Sequence, residues 1–554
     1  MGCAKRPSRV RKYMSGYRTD DFRNREFEKA FLAIRENVLT SIHIMPKEKH
    51  RSGKRKIMGV TLPWSYKGAC ELKPDDNDLA SMIDGAKHRV GGVVPPVNQY
   101  VKRGFKRFVR LWCKHNLTPL DRLTLIDLES WLAATNYSES RKQQLRNCYT
   151  VEEEKYVRPE FSKLLSFIKD EFYPEPKAFR TINARHDYYK CVLGPWIHAI
   201  EKVVFKHPDF IKTIPVANRA KAVFDKYKRG DYISTTDCTA WEASMGPDIM
   251  KCGELQLFKH MSQYLPGAQD FIDCYYQLMF QNTLKFNGFV CTVLSRRMSG
   301  EMSTSIGNGF TNLMIIKYTG FRFGINLQVY CEGDDSIIFS DRPFPPDIFT
   351  ALGFIVKMEY HYDIRKAKFC SLIFDDSFNL LRDPVHTILR LGWTTQQYVN
   401  SGDRILMNLL RLKAISLKCE VPNAPILGPL ADRLLFLTRE FAGGFDKFLK
   451  VAHLNVYEKE RLEQALKYKA WRVGAKVTAD ARQLCEEEFG IPWESQIAIE
   501  KAMASMELGH YSCPILDMHI KGDNRLYYEI YSSDSKEYNQ CIDTRRLCEF
   551  ATYL

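Results

Sequence analysis

The segment LQVYCEGDDSIIFS, residues 327–340, sets two adjacent carboxylates between two β-rich halves. Gly333-Asp334-Asp335 has the composition of a tight turn, so the segment is predicted as a hairpin. Neighbouring carboxylates repel one another. The flanks are β-branched and aromatic and carry no Lys or Arg, so a half-buried tip would call for a metal ion. The simpler reading is a solvent-exposed Asp-Asp turn of the kind that Gly-Asp pairs often make.

A second acid strengthens the first reading. DYISTTDCTA (231–240) reads as a short strand ending on Asp237, and Glu242 follows five residues on. Acids at the ends of neighbouring strands can hold two Mg²⁺ ions about 3.5–4 Å apart for phosphoryl transfer. If the chain curls after the strand, the Glu242 carboxylate reaches a substrate hydroxyl; otherwise it is a surface acid in the first turn of a helix. A helix is predicted near Pro247, a residue suited to a first helical position. Between the acids lies RMSGEMSTSIGN. Gly300 permits a loop, and a helix is expected over 299–318. Thr304 and Asn308, four apart, share one helical face. With Ser299 they offer hydroxyl and amide groups that can read a ribose, while Ser303 and Ser305 suit helix capping.

The chain around these motifs is long. At 554 residues it exceeds the roughly 250–300 residues of a single compact core, so two or three subdomains are expected. Its 45% apolar and 27% charged residues exclude a disordered chain, a coiled coil or a collagen-like fibre. Lys and Arg exceed Asp and Glu by 15 charges, which suits a polyanionic partner, nucleic acid or an anionic membrane face. The sixteen Cys lack CxxC spacing and read as reduced thiols. No apolar run reaches membrane-spanning length, and no leader opens the chain. Met1-Gly2-Cys3 fails as a myristoylation start because Arg6 stands where Ser or Thr is needed. One basic run spans Lys47 to Lys56. A second, from Lys102 to Lys114, alternates with Phe105, Phe108, Leu111 and Trp112 at helical spacing, a basic amphipathic helix that is either solvated or in contact with RNA. From 160 to 230 short helical stretches and turns are expected. After 395 three helical runs, ILMNLLRLKAISL, ADRLLFLTREFAGGF and EKERLEQALKYKAW, point to a separate helical subdomain. A zinc site is one reading of His510, Cys513 and His519, but the spacing is loose, and scattered core residues are the simpler one.

In chain order, Asp237-x4-Glu242, Ser299-Gly300-x3-Thr304-x3-Asn308 and Gly333-Asp334-Asp335 resemble motifs A, B and C of positive-strand RNA virus RNA-dependent RNA polymerases. RMSGEMSTSIGNGFTN is most similar to the tombusvirus-like and flavivirus-like branch. Leu352-Gly353-Phe354 with Lys357 resembles motif D, Lys368-Phe369-Cys370-Ser371 motif E, and KDEFYPEPKAFRTINAR motif F. The resemblance covers roughly 160–395. It departs from the family at Glu242, where the relatives usually have Asp, and this bears on the ribose contact rather than on the metals.

The resemblance implies an α+β right-hand fold of fingers, palm and thumb, with an antiparallel palm sheet and a helix-rich thumb. The divisions would be an N-terminal extension (1–85), fingers (86–230), palm (231–395, with a fingers insertion at about 250–290), and thumb with the C-terminal region (396–554). Asp237 and Asp334 would ligate two Mg²⁺ or Mn²⁺ ions, with Asp335 as a secondary ligand. Glu242, Ser299, Thr304 and Asn308 would read the ribose. Lys169, Lys177, Arg180 and Arg185 would hold the triphosphate, and Lys357 would be a general acid for pyrophosphate. The implied activity is template-directed RNA synthesis replicating a viral genome, with RNA, NTPs and a membrane-anchored viral replication protein as partners, at membrane-bound complexes in the host cytoplasm. A reverse transcriptase would need a bulky residue against the 2′-hydroxyl. A non-catalytic RNA-binding scaffold would leave Asp237, Asp334 and Asp335 without a role.

Overall fold

The computed structural model describes residues 39–45, 59–67, 79–135, 137–151, 159–169, 180–395, 398, 401–442, 462, 465–466 and 472–520. Helices and sheets are both extensive, so the class is mixed α and β. At its centre lies a four-stranded antiparallel sheet in the order Val356–His361, Tyr232–Cys238, Asp335–Ser340, Leu327–Glu332. Successive side chains on a strand point to opposite faces. Here each face meets a different core. Val329, Cys331, Ile338 and Cys238 join one hydrophobic cluster, and Tyr330, Ile337, Phe339 and Ile233 join another. The inner strand is therefore buried from Ile233 to Thr236.

The first cluster is helical. Helix Thr304–Phe323 runs through it with most of its residues buried, and Gln99–Asn116, Asp187–Val204, Glu254–Ser262 and Ala268–Tyr276 pack around it. The second gathers Asp403–Glu420, Leu427–Leu437, Ala479–Phe489 and Trp493–Ala504. A third lies under a five-stranded sheet ordered Leu39–Ile44, Phe289–Val293, Asn282–Lys285, Lys163–Ile168, Thr181–Ala184. All its pairings are antiparallel except that of Lys163–Ile168 with Asn282–Lys285.

The N-terminal part of the chain joins two of these bodies. Leu39–Ile44 belongs to the five-stranded sheet. Gly59–Thr61 then pairs with Trp393–Thr395, and Trp64–Tyr66 runs parallel to Gly509–Tyr511. Trp64 and Tyr66 are buried in the second core, and the Tyr66 hydroxyl donates to the Asp517 carboxylate at 2.5 Å.

Several expectations need correction. Residues 160–230 are not only helices and turns, since Lys163–Ile168 and Thr181–Ala184 are strands. Thr181–Ala184 pairs with Lys163–Ile168, and the latter pairs in turn with Asn282–Lys285, more than a hundred residues away, a tertiary context that outweighs local preference. The helix expected over 299–318 occupies Thr304–Phe323, because the residues before it are held in a loop by buried ion pairs described below. The basic helix forms, over Gln99–Asn116. Lys47–Lys56, Lys177 and nearly all of the run EKERLEQALKYKAW lie outside the described residues. All described cysteines are free thiols, and no described helix is long and apolar enough to cross a membrane.

Candidate active site

The hairpin turns on Gly333 and Asp334 alone, because Asp335 already pairs with Glu332. Gly333 has φ +62°, a left-handed conformation that costs glycine little. The neighbouring strand is registered Ser336↔Thr236, Ile337↔Thr235. One further step along the same antiparallel alignment brings Asp335 beside Asp237. Hairpin pairing thus unites acids that are about a hundred residues apart in sequence.

Their electrostatics record the crowding. Burial, then the Glu242 charge and more weakly Asp237, push the Asp334 carboxyl up to about 6, while Arg180 pulls it down. Asp335 is pushed up to about 7 by the surrounding protein and by Asp334, Asp237 and Glu332, although its edge is open to solvent. Glu242 reaches this field because the chain reverses sharply after the strand. Ala240 has φ +47°, and a short helix, Trp241–Ser244, follows at once. A non-glycine residue in that region stores strain of the kind found at functional sites.

Helix Thr304–Phe323 holds the tip from behind. Asn312 Nδ2 donates to the carbonyls of Gly333 (3.2 Å) and Asp334 (3.0 Å). Asn312 was not singled out by sequence reasoning, though its i, i+4 spacing from Asn308 was a usable signal. Asn308 is itself buried, and its Oδ1 has no hydrogen-bond partner among the described residues. The Thr304 hydroxyl donates to the Glu301 carbonyl at 2.9 Å, so it fixes the turn into the helix. Ser299 is half-buried, and its carbonyl accepts from the Asn183 N–H at 2.8 Å. Gly300, at φ +100°, lies against Ile182 of the same strand.

Under this loop is a buried ionic network that no local pattern announced. Glu301 accepts from Arg185 (2.6 Å) and Arg297 (3.2 Å), and all three side chains are essentially inaccessible. Arg297 also pairs with Glu254, which accepts from the Tyr275 hydroxyl. Burial pushes the Glu254 carboxyl upward against the pull of Arg297. A side chain at Gly307 would run into the Glu254 carboxylate. The network corrects one expectation. Arg185 is not a free triphosphate cation, because its guanidinium is taken up by Glu301, Asn282 and the Phe161 carbonyl.

The remaining cations are placed as follows. Arg180 is exposed and near enough for its charge to act on Asp334. The Lys169 N–H donates to the Arg180 carbonyl at 2.8 Å, extending the pairing of their strands. Lys357 stands opposite Asp237 in register, and its exposed ammonium pairs with Glu359 at 2.5 Å. That ion pair is at odds with a poised general acid. On the far side of the hairpin, Cys370 and Ser371 both have positive φ in the tight turn between Phe369 and Leu372. The Cys370 thiol lies 3.9 Å from the Glu332 carboxylate. His510 bonds to Ser65, and the Cys513 backbone bonds to Tyr66, with no cluster of metal-binding side chains around them among the described residues.

Residues 282–402 match a family model described as viral RNA dependent RNA polymerase. Over this stretch the chain is similar to viral RNA-dependent RNA polymerases. The matched stretch contains the Ser-Gly loop, the helix behind the tip and the Gly-Asp-Asp hairpin, and it stops short of Asp237, which the sheet adds. The chain is 26% identical over 38% of its length to the RNA-directed RNA polymerase of Panicum mosaic virus, covering 23% of that protein. It is 25% identical over 37% of its length to that of Oat chlorotic stunt virus, covering 30%. For the polymerase of Turnip crinkle virus the values are 23%, 41% and 31%. The chain thus matches less than a third of the length of these curated relatives.

Proposed function

We propose that this chain is an RNA-dependent RNA polymerase that copies a viral RNA by two-metal nucleotidyl transfer. The observation carrying the reading is the meeting of Asp237, Asp334 and Asp335 at one sheet edge, with two carboxyls pushed upward. The central sheet acts as palm, the five-stranded sheet, to which Leu39–Ile44 of the expected N-terminal extension belongs, as part of the fingers, and the helices after residue 400 as thumb. The acids offer hard oxygen ligands that suit Mg²⁺ or Mn²⁺. Among the described residues no three such side chains close around one ion. Mg²⁺ commonly takes one or two carboxylates and completes its shell with water and substrate phosphate. Held by Asp237 and Asp334, such ions would lower the pKa of the RNA 3′-hydroxyl and offset the charge of the leaving pyrophosphate.

The chain's own groups do the rest. Asn312 fixes the tip carbonyls, so the Asp334 carboxylate is held before substrate arrives. Arg180 offers a planar fork to triphosphate oxygens. Asn308 has an amide oxygen without a partner among the described residues, suited to a 2′-hydroxyl donor, and Glu242 and Ser299 share the ribose-reading role in the same assignment. The basic excess of the chain attracts a template. A membrane-anchored viral partner and a host cytoplasmic location belong to this proposal as well. Template-directed incorporation of labelled NTPs by the purified chain, with Mg²⁺ or Mn²⁺, tests it. Binding of RNA without any incorporation favours a scaffold, and dNTP use equal to rNTP use favours a reverse transcriptase.

Variants at three positions probe the assigned roles. Asn308→Ala should lower discrimination against dNTPs, because a site built around a hydroxyl rejects the analogue that leaves its polar group unpaired. An unchanged rNTP/dNTP ratio would make Asn308 purely structural. Arg180→Lys should raise the KM for NTPs, and Arg180→Ala should also slow the chemical step, with RNA affinity little changed. Weakened RNA binding with normal NTP kinetics would move Arg180 to the template path. Asn312→Ala should lower kcat on the order of a hundredfold, the typical effect of misplacing a reacting group by about 1 Å. Wild-type turnover in that variant would mean that the tip is held by the sheet alone.

A further inference from the structure

Helix Gln99–Asn116 uses one face to pack the first core, through Phe105, Val109 and Cys113. Between Tyr100 and Lys114 its exposed residues are Tyr100, Arg103, Lys106, Arg107, Arg110, Leu111 and Lys114. The helix contains no acid, and Asp248, which pairs with Lys102, is the described carboxylate ion-paired to this segment. Arg103, Lys106, Arg107, Arg110 and Lys114 have no ion-pair partner among the described residues. At 100° per residue these five cations share one face, and Tyr100 and Leu111 border it on the side of Phe108.

That border is continued by another helix. Phe321, in the last turn of Thr304–Phe323, packs at a tilt against Phe108 with ring centroids 5.4 Å apart, and the residue is 72% exposed. Leu111 and Tyr100 are 47% and 67% exposed, and Arg322 is exposed beside Phe321. The result is a basic stripe edged by hydrocarbon. A helical rise of about 1.5 Å per residue puts Phe321 about 20 Å along the axis from Asn308. The Phe321 end of the stripe is therefore well removed from the reacting carboxylates, while Trp112, near its other end, packs on Phe310.

We propose that this face docks on an anionic lipid surface, with Phe321, Leu111 and Tyr100 entering the interface and the five cations meeting headgroup charge. Charge complementarity and exposed hydrocarbon are the two components of interfacial attachment. An RNA track would use the same cations, and what favours a lipid surface is the exposed hydrocarbon of Leu111 and Phe321 along their border.

The test is co-sedimentation of the full chain with phosphatidylcholine vesicles, with and without phosphatidylserine, alongside RNA binding and nucleotide incorporation in vesicle-free solution. Binding is expected only to the phosphatidylserine vesicles and should weaken with salt. The triple variant Arg103→Gln/Arg107→Gln/Arg110→Gln should lose on the order of a hundredfold in partitioning, with unchanged melting temperature and unchanged incorporation in solution. Phe321→Ser with Leu111→Ser should weaken binding and leave its salt dependence. Equal binding to both kinds of vesicle, or unchanged partitioning of the triple variant, would overturn the proposal. So would loss of RNA affinity in the triple variant, which would assign the face to nucleic acid.

Discussion

Asp334→Ala should abolish nucleotide incorporation, by on the order of 10³-fold or more, because it removes a group on which transition-state charge stabilisation depends. RNA affinity should be retained. The same substitution should make the metal-free protein more resistant to heat. In the folded chain Asp334 titrates at about 6 rather than near its ordinary 3.8. A carboxyl raised on folding binds its proton more tightly in the native state, so its contribution to stability falls as pH rises from about 4 to about 6. The gain in melting temperature of Asp334→Ala over the native chain should therefore be larger at pH 7 than at pH 5, measured in chelator. Added Mg²⁺ should raise the melting temperature of the native chain and leave the variant nearly unmoved. Full activity in Asp334→Ala would sink the assignment, and an Mg²⁺ response equal in both would separate the ions from this carboxylate. Asp237→Ala should match it in activity, and Asp335→Asn should be milder.

Glu301→Gln should cause the largest loss of stability. It leaves Arg185 and Arg297 buried with Glu254 as the remaining acid of the network. Breaking a buried ionic group by removing one partner costs roughly 3–5 kcal/mol. The loss should appear as a lower unfolding midpoint in urea with little change of slope. Replacing Arg185 and Glu301 together by Met should recover part of it, since apolar groups of similar volume relieve the uncompensated charge. A native midpoint in Glu301→Gln would mean that the loop before Thr304 is held by packing instead.

Sequence reasoning reached what is encoded locally. The hairpin needs a turn glycine between two β-branched stretches, and all three lie within fourteen residues, so it was legible. The strand ending near Asp237 was legible too, but its place beside Asp335 is a matter of register between distant strands. The ionic network was not legible, because Arg185 and Glu301 are 116 positions apart and Glu254 and Arg297 are 43 apart. For the same reason a motif of cations could not reveal that Arg185 faces inward while Arg180 faces outward. Charge is visible in sequence; burial is a property of the assembled cores. Lys163–Ile168 escaped notice because its hydropathy does not alternate with its burial: Leu165 and Phe167 are exposed and Ser166 is buried.

The N-terminal strands give the molecule the topology of a buckled belt. Leu39–Ile44 is fastened to one body and Gly59–Tyr66 to the other, so the span between Ile44 and Gly59 can never exceed about 50 Å, the contour length of fifteen extended residues. Bodies joined only by apolar contact can drift apart without limit. These cannot separate further than the belt allows unless a strand is first unfastened. The Tyr66 hydroxyl, which bonds to the Asp517 carboxylate and to the Cys513 backbone, acts as the clasp. Opening the gap between the bodies beyond that reach therefore needs this clasp, or one of the strand pairings, to be released first.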